Sequence, residues 1–205
     1  MSGQLVYSST ELPVTKHTHL ILELSDGYQL RYLDVRQFGY LCLAEISMVQ
    51  GLTPSGAEPL EISGDEFKGL MPSRRTRIKP LLLDQSFLAG IGNIYADEIL
   101  HKTGIHPLQH SHTLSETQIA KLYQAMQEIL SQAIEQKGSS ISDYVDLNGQ
   151  KGNYQRYHHV YQRQGQPCLT CQREITRIKI GGRSSHFCPN CQQNKEEIML
   201  CDLIN

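Results

Sequence analysis

Four cysteines near the end of the chain restrict its fold more than any other feature. They form two Cys-x-x-Cys pairs separated by sixteen residues: Cys168, Cys171, Cys188 and Cys191. Each pair can bring two thiolates from one tight turn to one ion, and two such turns complete a tetrahedral site with four cysteine ligands. The spacing therefore predicts one structural zinc, because four protein ligands leave no open position for catalysis. Two redox-active dithiols are the alternative.

The segment between the two pairs favours a β-hairpin. "REITRIKI" and "GGRSSHF" alternate in the manner of two short strands, and Gly181 and Gly182 fit the bend between them. So short a segment has little core, and metal binding, on the order of 10–16 kcal/mol in zinc peptides, is expected to keep it folded. Arg183 follows the bend, where a guanidinium suits bidentate contact with a phosphate. A solvated surface arginine is the alternative.

The net charge of −2 conceals an uneven distribution along the chain. Residues 1–70 carry four basic and nine acidic side chains, whereas residues 150–191 carry seven basic and one acidic. A second basic cluster is "RRTRIK", residues 74–79. Charge separated in this way fits a polyanion partner such as DNA, because neutralised phosphates release their counterions. A solvated basic surface fits the charge equally well.

Composition indicates the broad class of the protein. The chain has 205 residues, of which 39% are hydrophobic and 20% charged, as expected for a globular protein of two or three units. No stretch approaches the roughly 18 apolar residues of a membrane span, and "MSGQLVYSST" lacks the pattern of a secretory signal. We therefore expect no membrane partner and a cytosolic location, where cysteines serve as metal ligands or free thiols rather than disulfides.

Hydrophobic periodicity divides the remaining chain into a β part and a helical part. "HLILEL", "GYQLRYLDV" and "YLCLAEI" within residues 4–46 alternate as in an antiparallel meander, with the turn signal "SDG" between the first two. Residues 51–64 are rich in Gly, Pro and Ser and are predicted to be a linker. From about Leu81 the pattern predicts a helix, a glycine turn, and a second helix from about Asn93 to Lys102.

The longest predicted helix lies in "TLSETQIAKLYQAMQEILSQAIEQKG". Ser115 and Gln118 fit a capping box at its start, and Gly138 fits its end. Apolar residues recur at a spacing of four and are predicted to face the core: Leu122, Met126, Leu130 and Ile134.

Four separated motifs carry a resemblance to a known family. In chain order they are "MSGQL", "DVRQFG", "IKPLLLDQSFLAGIGNIYADEIL" followed by "GIHP", and "GRSSHFCPNCQ". Residues 1 to about 192 resemble the bacterial formamidopyrimidine-DNA glycosylases, which excise oxidised purines (8-oxoguanine and formamidopyrimidines) and cleave the abasic strand by β/δ-elimination. The related endonuclease VIII enzymes share the helical and zinc parts, but "DVRQFG" is more similar to the formamidopyrimidine branch.

The resemblance implies an α+β multidomain fold. Residues 1–64 would be the second half of an N-terminal β-sandwich, and residues 65–160 a helix–two-turn–helix DNA-binding domain. Residues 161–192 would be the zinc hairpin, and residues 193–205 an atypical tail. The implied partner is damaged double-stranded DNA in the bacterial cytoplasm, with the complete protein a monomer.

The resemblance also implies site residues. Those matching DNA contacts are His17, Arg36, Arg74, Lys79, Asn93 and Arg183. A turn that leads into a helix N-terminus presents free N–H groups to an anion, which gives Asn93 a physical basis for phosphate binding. Arg183 resembles the hairpin arginine that binds the same phosphates and serves as an auxiliary proton donor in the second strand cut.

A second group of residues matches those that fill the space left by a flipped-out base: Met1, Arg36 and Phe38. Chemistry on a base inside a duplex requires the base to leave the stack, and apolar or planar side chains stabilise the gap. For Phe38, a core position at the end of a strand is the alternative.

The chain departs from the family pattern in its catalytic residues. The family's Pro-Glu-Leu-Pro motif, with a proline amine nucleophile and a glutamate acid, does not occur in the sequence, and Glu11 and Lys16 lie in a different motif. We therefore expect no Schiff base from these 205 residues, and a sheet with an unpaired edge and an uncovered apolar face. Gln162 stands where family members usually have glycine. The tail after Gln192 also differs from the family pattern.

Three functional interpretations remain open from the sequence. The first is a DNA glycosylase/AP lyase whose catalytic segment lies outside these residues. The second is a non-catalytic zinc protein that binds damaged DNA, and the third is a degenerate remnant. An in-frame Pro-Glu-Leu-Pro segment in the coding sequence upstream of Met1 would decide for the enzyme.

Overall fold

Three strands, four helices and a second pair of strands make up the regular structure of the described residues. The structure is a computed structural model that describes residues 3–39, 41–43, 45, 56–71, 74–141 and 150–194. The strands and helices are β1 (Gly3–Ser9), β2 (Thr18–Glu23), β3 (Tyr28–Asp34), α1 (Gly64–Leu70), α2 (Ile78–Leu83), α3 (Asn93–Thr103), α4 (Glu116–Glu135), β4 (Thr176–Ile180) and β5 (Arg183–Phe187). Two single 3-10 turns, Ser111–Thr113 and Tyr154–Tyr157, complete the set.

The chain divides into two compact units. The sheet unit comprises Met1–Leu52 with Ala133–Arg156, and the zinc unit comprises Thr53–Gln132 with Tyr157–Asn205. The sequence predicts other boundaries, after residues 64, 160 and 192, which differ from those of these two units. Those domain boundaries stay a prediction.

The sheet unit is built on the central strand β3. Both β1 and β2 pair with it in the antiparallel sense, so the strand order is β1-β3-β2. The predicted turn between β2 and β3 is present, with Gly27 at φ 83° and its N–H donated to the carbonyl of Leu24. The third strand of the meander is Gly3–Ser9. It is not the predicted segment 40–46, in which the described residues Leu41–Leu43 and Glu45 have no strand structure, because β1 already occupies the second side of β3.

One face of this sheet is apolar and open to solvent. Opposite residues of an antiparallel pair lie on the same face, and the register places Leu5 opposite Tyr32, and both Tyr7 and Leu22 opposite Leu30. The side chains on this face are between 37% and 48% exposed: Leu5, Tyr7, Leu20, Leu22 and Tyr28. This agrees with the uncovered apolar face expected from the sequence.

The zinc unit begins with helices whose ends follow their sequence signals. Ser63 and Glu66 form a capping box at the start of α1. α2 and α3 are the two helices predicted on either side of the glycine turn, although α2 starts at Ile78 rather than near Leu81. α3 ends at Thr103 and is capped by Gly104, whose N–H donates to the carbonyls of His101 and Leu100.

The long helix α4 has the predicted cap, but the face that it buries differs from the predicted one. The Ser115 N–H donates to Gln118 Oε1 at 3.0 Å, and the Gln118 N–H donates to Ser115 Oγ at 3.2 Å. Leu122 and Met126 are fully buried, but Ile134 is 65% exposed. The reason is geometric: each four-residue step advances around the helix by about 40°, so the last position of the series leaves the buried face. The buried face instead follows mixed spacings: Ile119, Leu122, Ala125, Met126 and Ile129.

A small second core surrounds the cysteines. Val160, Cys168, Ile175 and Cys188 are at most 2% exposed and pack together, with Cys171 and Cys191 against them. The larger core lies among the helices, where Phe67, Ile78, Leu82, Ile99 and Ile105 are completely buried. The zinc segment therefore has few apolar side chains of its own, as the sequence predicted.

Candidate metal centre and nucleic-acid interface

The four predicted zinc ligands lie together. Their sulfur atoms are all within 4.8 Å of one another, with 3.4 Å between the Sγ atoms of Cys171 and Cys188 and 3.9 Å between those of Cys168 and Cys191. Tetrahedral zinc with Zn–S bonds of about 2.3 Å separates its sulfurs by about 3.8 Å. The cluster therefore has the composition and size of a structural zinc site, and its sulfurs are too far apart for a disulfide of about 2.05 Å.

Hydrogen bonds hold the two cysteine turns in place. The backbone N–H of Thr170 donates to Cys168 Sγ, and that of Cys191 donates to Cys188 Sγ, each at 3.4 Å. Gln192 accepts from the N–H of Cys188 at 3.0 Å and donates to the carbonyl of Ile105 at 2.9 Å. This buried glutamine connects the second turn to the segment that follows α3.

The hairpin between the cysteine pairs is formed by β4 and β5. Its bend has positive φ angles at both Gly181 (54°) and Gly182 (79°), which residues with a Cβ rarely adopt, so the two glycines are required by this tight turn. Ile180 is paired with Arg183 across the bend. The Arg183 side chain is exposed at the tip.

Lys79 corrects the predicted set of DNA contacts. Its side chain has no exposed area, and its Nζ lies 2.6 Å from Asp97 Oδ1 and 2.6 Å from the carbonyl oxygen of Ser184. Burial lowers the pKa of Lys79, and the charge of Asp97 opposes that shift. The predicted direct contact with DNA is wrong, because a side chain inside the protein cannot reach a phosphate. Lys79 instead connects α2 with β5.

Asp97 is the centre of this buried network. Its Oδ1 accepts from Lys79 Nζ and from Ser185 Oγ at 3.2 Å, while its Oδ2 accepts from the backbone N–H of His186 at 2.9 Å. The ring Nδ1 of His186 lies 3.1 Å from the same Oδ2. One turn earlier on α3, Asn93 Nδ2 donates to the carbonyl of Ser184 at 3.0 Å. α3 therefore holds β5 directly behind Arg183.

Glu98 holds a second segment against α3. Its carboxylate accepts from the consecutive backbone N–H groups of His159, Val160 and Tyr161, at 2.8, 3.0 and 2.8 Å. Burial raises the pKa of Glu98, and these three hydrogen bonds oppose the shift. The carboxylate thereby fixes the path of the chain that enters the zinc segment.

His101 lies one turn after Asp97, against the zinc centre. Its Nε2 is 3.6 Å from Cys168 Sγ, and its ring is 8% exposed. Burial, helped by the nearby His159 and Arg163, lowers the pKa of His101 to about 4.

Asp97, Glu98 and His101 are not among the residues predicted from the sequence motifs. A signal for them exists, since Asn93, Asp97 and His101 are polar residues at a spacing of four on a helix whose other positions include the buried Ala96, Ile99 and Leu100. Polar residues in that pattern, beside apolar ones, indicate a face that contacts buried polar groups of another segment.

An open groove of about 640 Å³ lies beside this contact. Asn93 and Arg183 both line it, together with Tyr161, Gln162, Gln164, Arg177, Gly182, Ser184 and His186. Arg177 is oriented by two hydrogen bonds to Ser184 Oγ, at 3.0 Å from Nε and 2.7 Å from Nη2. Gln162 has a φ of 57°, in the left-handed region that residues other than glycine rarely adopt.

The other predicted contacts lie on exposed or partly buried surface. Arg74, in the zinc unit, is exposed with its guanidinium 5.9 Å from the centre of the Phe87 ring. In the sheet unit, Phe38 is 82% exposed and therefore is not a core residue, and the Arg36 guanidinium lies 5.9 Å from its ring centre. His17 is partly buried. Met1 lies outside the described residues.

Comparisons with known proteins match three parts of the chain to family models. Residues 1–41 match the formamidopyrimidine-DNA glycosylase N-terminal domain, and residues 56–145 match the formamidopyrimidine-DNA glycosylase H2TH domain. Residues 165–194 match a zinc finger found in FPG and IleRS.

Similarity to curated relatives extends over nearly the whole chain. A formamidopyrimidine-DNA glycosylase of Pelotomaculum thermopropionicum is 46% identical over 200 residues, which are 95% of this chain and 72% of that protein. The chain belongs to the formamidopyrimidine-DNA glycosylase family. Another relative with the same name, from Desulforamulus reducens, is 45% identical over the same shares of the two chains.

Solved structures of formamidopyrimidine-DNA glycosylases have the same fold. The Lactococcus lactis Fpg in complex with DNA that contains an abasic site is 38% identical, with a TM-score of 0.87 over 95% of this chain and 73% of that one. MutM in complex with DNA that contains carbocyclic 8-oxo-G is 37% identical, with a TM-score of 0.85.

Two further findings bear on the metal and on membranes. The match to the zinc finger and the geometry of the four cysteines together establish one structural zinc. Within the part of the chain that the structure describes, no helix has both the length and the apolar character needed to span a membrane.

Proposed function

We propose that this formamidopyrimidine-DNA glycosylase serves base-excision repair of oxidised purines, and that its zinc unit binds the phosphates of damaged double-stranded DNA. The single observation that carries the proposal is the groove between α3 and the zinc hairpin. Asn93 at the start of α3 and Arg183 at the tip of the hairpin both line this groove, and the carbonyl of Ser184, the residue after Arg183, accepts from Asn93.

The groove has the chemistry of a phosphate site. Asn93 is the first residue of α3, where backbone N–H groups have no partner within the helix and the helix dipole favours an anion. An amide nitrogen carries two N–H groups, and Ser184 takes one of those of Asn93. Arg183 and Arg177 add two guanidinium groups, and none of the described residues that line the groove is acidic. A phosphodiester would meet donors on both sides.

The buried network explains why the two sides keep their spacing. Lys79 and Asp97 connect α2, α3 and β5 behind the groove. Lys79 therefore acts on DNA only through the position of the hairpin, as a positioning residue. The auxiliary proton-donor role of Arg183 remains part of the proposal.

Phe38 and Arg36 are proposed to occupy the gap that a flipped-out base leaves in the duplex. An aromatic ring that is 82% exposed carries a cost in water that insertion between base pairs would relieve. The nearby guanidinium of Arg36 offers a planar donor group for the unpaired base. We also propose DNA contacts for Arg74 and His17, and action in the bacterial cytoplasm.

Fluorescence anisotropy with matched duplexes tests DNA binding. A duplex containing 8-oxoguanine or a tetrahydrofuran abasic analogue is compared with an undamaged one at several salt concentrations. We expect Arg183→Ala to weaken binding by about tenfold, and to reduce the slope of log affinity against log salt by about 1, because one phosphate contact is lost. Asn93→Ala should also weaken binding.

Arg173→Ala is the matched control. Arg173 is an exposed arginine of the zinc segment that does not line the groove, so its loss should change the affinity much less. An Arg183→Ala protein with unchanged affinity and unchanged salt dependence would contradict the proposed phosphate site.

Catalysis is tested separately by borohydride trapping on an 8-oxoguanine duplex. The expectation that these 205 residues lack the amine nucleophile stays a prediction, and a covalent protein–DNA adduct would overturn it. Binding that prefers damaged DNA without an adduct would fit both an enzyme whose catalytic segment lies outside these residues and a non-catalytic DNA-binding protein, and the coding sequence upstream of Met1 then decides between them.

A further inference from the structure

The ring of His101 contacts the zinc centre and does not line the proposed DNA groove. We propose that His101 donates a hydrogen bond from Nε2 to the zinc-bound thiolate of Cys168 and thereby slows the loss of zinc. The proposal concerns retention of the metal and holds whether or not the protein acts on DNA as proposed above.

The contact lies in the interior of the zinc unit. Nε2 and Sγ are 3.6 Å apart, Cys168 is completely buried, and His101 is 8% exposed. Water therefore has little access to either atom. A buried polar atom without a partner carries a cost of about 1–3 kcal/mol, so the two atoms satisfy each other.

The chemistry of the site determines the direction of the hydrogen bond. A cysteine that binds zinc is a thiolate and has no proton to give. The proton between the two atoms must therefore be carried by Nε2. Four thiolates place more negative charge around the metal than a divalent ion neutralises, and a donor to one sulfur reduces that excess.

His101 differs from the other described donor to Cys168 in its position in the chain. The N–H of Thr170 belongs to the cysteine turn itself, whereas His101 is in the last turn of α3, 67 residues earlier. The ring packs 5.6 Å from that of His159, which Glu98 of the same helix holds in place. Retention of zinc is thereby coupled to the helix that begins with Asn93.

Two substitutions separate the hydrogen bond from the packing of the ring. His101→Phe keeps an aromatic ring but has no N–H, whereas His101→Gln keeps an N–H at nearly the distance of Nε2 from the backbone. Zinc release to a chelating dye is followed for both at neutral pH. Loss of an outer hydrogen-bond partner typically weakens metal sites by about 10–100-fold, so we expect His101→Phe to release zinc at least about tenfold faster. His101→Gln should remain close to the unsubstituted protein.

The control is His158→Gln. His158 is another histidine that is 8% exposed, and its ring packs against Tyr161 rather than a cysteine. This variant should release zinc at the unsubstituted rate. If His101→Phe releases zinc no faster than the unsubstituted protein, the proposal is wrong. It is equally wrong if His101→Gln and His101→Phe release zinc equally fast, since packing alone would then explain the effect.

The absorption spectrum of the cobalt-substituted protein reports the hydrogen bond directly and does not depend on the stability of the fold. In protein substituted with Co²⁺, removal of a hydrogen bond from a thiolate should shift the sulfur-to-cobalt charge-transfer band to longer wavelength in His101→Phe but not in His101→Gln.

A further measurement needs no variant. Nitrogen-15 NMR of the zinc-bound protein should show the His101 proton on Nε2. A proton on Nδ1 with Nε2 bare would overturn the proposal even if a variant failed to fold.

Discussion

The zinc unit and the sheet unit differ in which side chains they bury and which they expose. In the zinc unit, charged groups such as Lys79 and Asp97 lie inside the protein with all of their contacts to other protein atoms. In the sheet unit, apolar side chains such as Tyr7 and Leu22 are more than 40% exposed. The zinc hairpin is positioned by a few specific polar contacts from α3, whereas the sheet leaves apolar side chains of one face exposed to water.

The difference has an energetic consequence. A buried ion pair is weak as a source of stability, but removal of one partner leaves an uncompensated charge that costs several kcal/mol. An exposed leucine makes few contacts, so its replacement changes little. Replacing a buried charged residue of the zinc unit should therefore lower the free energy of unfolding far more than replacing an exposed leucine of the sheet unit, although leucine is the more hydrophobic residue.

The largest effect is expected at Lys79. Lys79→Met should lower the free energy of unfolding by about 3–5 kcal/mol, because Asp97 is left charged and buried without its cation. Urea denaturation of the zinc-bound protein measures the change. Lys68→Met is the matched control, since Lys68 forms a pair of 3.0 Å with Glu116 on the surface, where both side chains are about half exposed or more, and such pairs contribute at most about 1 kcal/mol. Equal losses in the two variants would show that burial of the Lys79–Asp97 pair does not make it more sensitive to substitution than a surface pair of the same unit.

An intermediate effect is expected from pH. Burial lowers the pKa of His158 from 6.5 to about 4, so between these values the unfolded chain takes up a proton that the folded protein does not. The free energy of unfolding should therefore fall as the pH falls from 6.5 towards 4, by up to about 3 kcal/mol for this histidine, and should be independent of His158 above that window.

His158→Gln isolates this contribution. Protonation of the zinc thiolates at low pH affects both proteins alike, so the difference between their unfolding free energies reports His158. We expect the variant to lose less stability than the unsubstituted protein between pH 6.5 and 4.5. Parallel pH profiles would show that His158 is accessible to protons in the folded state.

The smallest effect is expected on the open face of the sheet. Replacement of Leu20 or Leu22 by Thr keeps a residue suited to strands, and each should change the free energy of unfolding by no more than about 0.5 kcal/mol. Leu82→Ala in the buried core is the comparison and should cost about 2–5 kcal/mol. A large, concentration-dependent loss at Leu20 or Leu22 would show instead that another molecule covers this face in solution.

Features that depend on neighbouring residues along the chain could be predicted from the sequence. The spacing of the cysteines predicted the zinc ligands, and "SETQ" predicted the cap of α4, because the cysteines of each pair, like Ser115 and Gln118, are only three residues apart. Alternation also predicted an antiparallel sheet, and the family resemblance implied its uncovered apolar face. The family resemblance, carried by four short motifs, is confirmed by the comparisons.

Features that depend on distant contacts could not be predicted in this way. A lysine in the basic run "RRTRIK" is expected on the surface, and only the approach of Asp97 and Ser184 from two other segments allows Lys79 to be buried. The same holds for Ile134, since the face that α4 buries depends on what packs against it.

The chain thus specifies by local spacing which side chains bind zinc, where α3 begins and where the hairpin bends. Tertiary structure decides which polar groups leave water, because a charge or an imidazole is stable inside only when a partner from another segment meets it. Lys79 and His101 have those partners in β5 and in the first cysteine turn, more than 60 residues away along the chain.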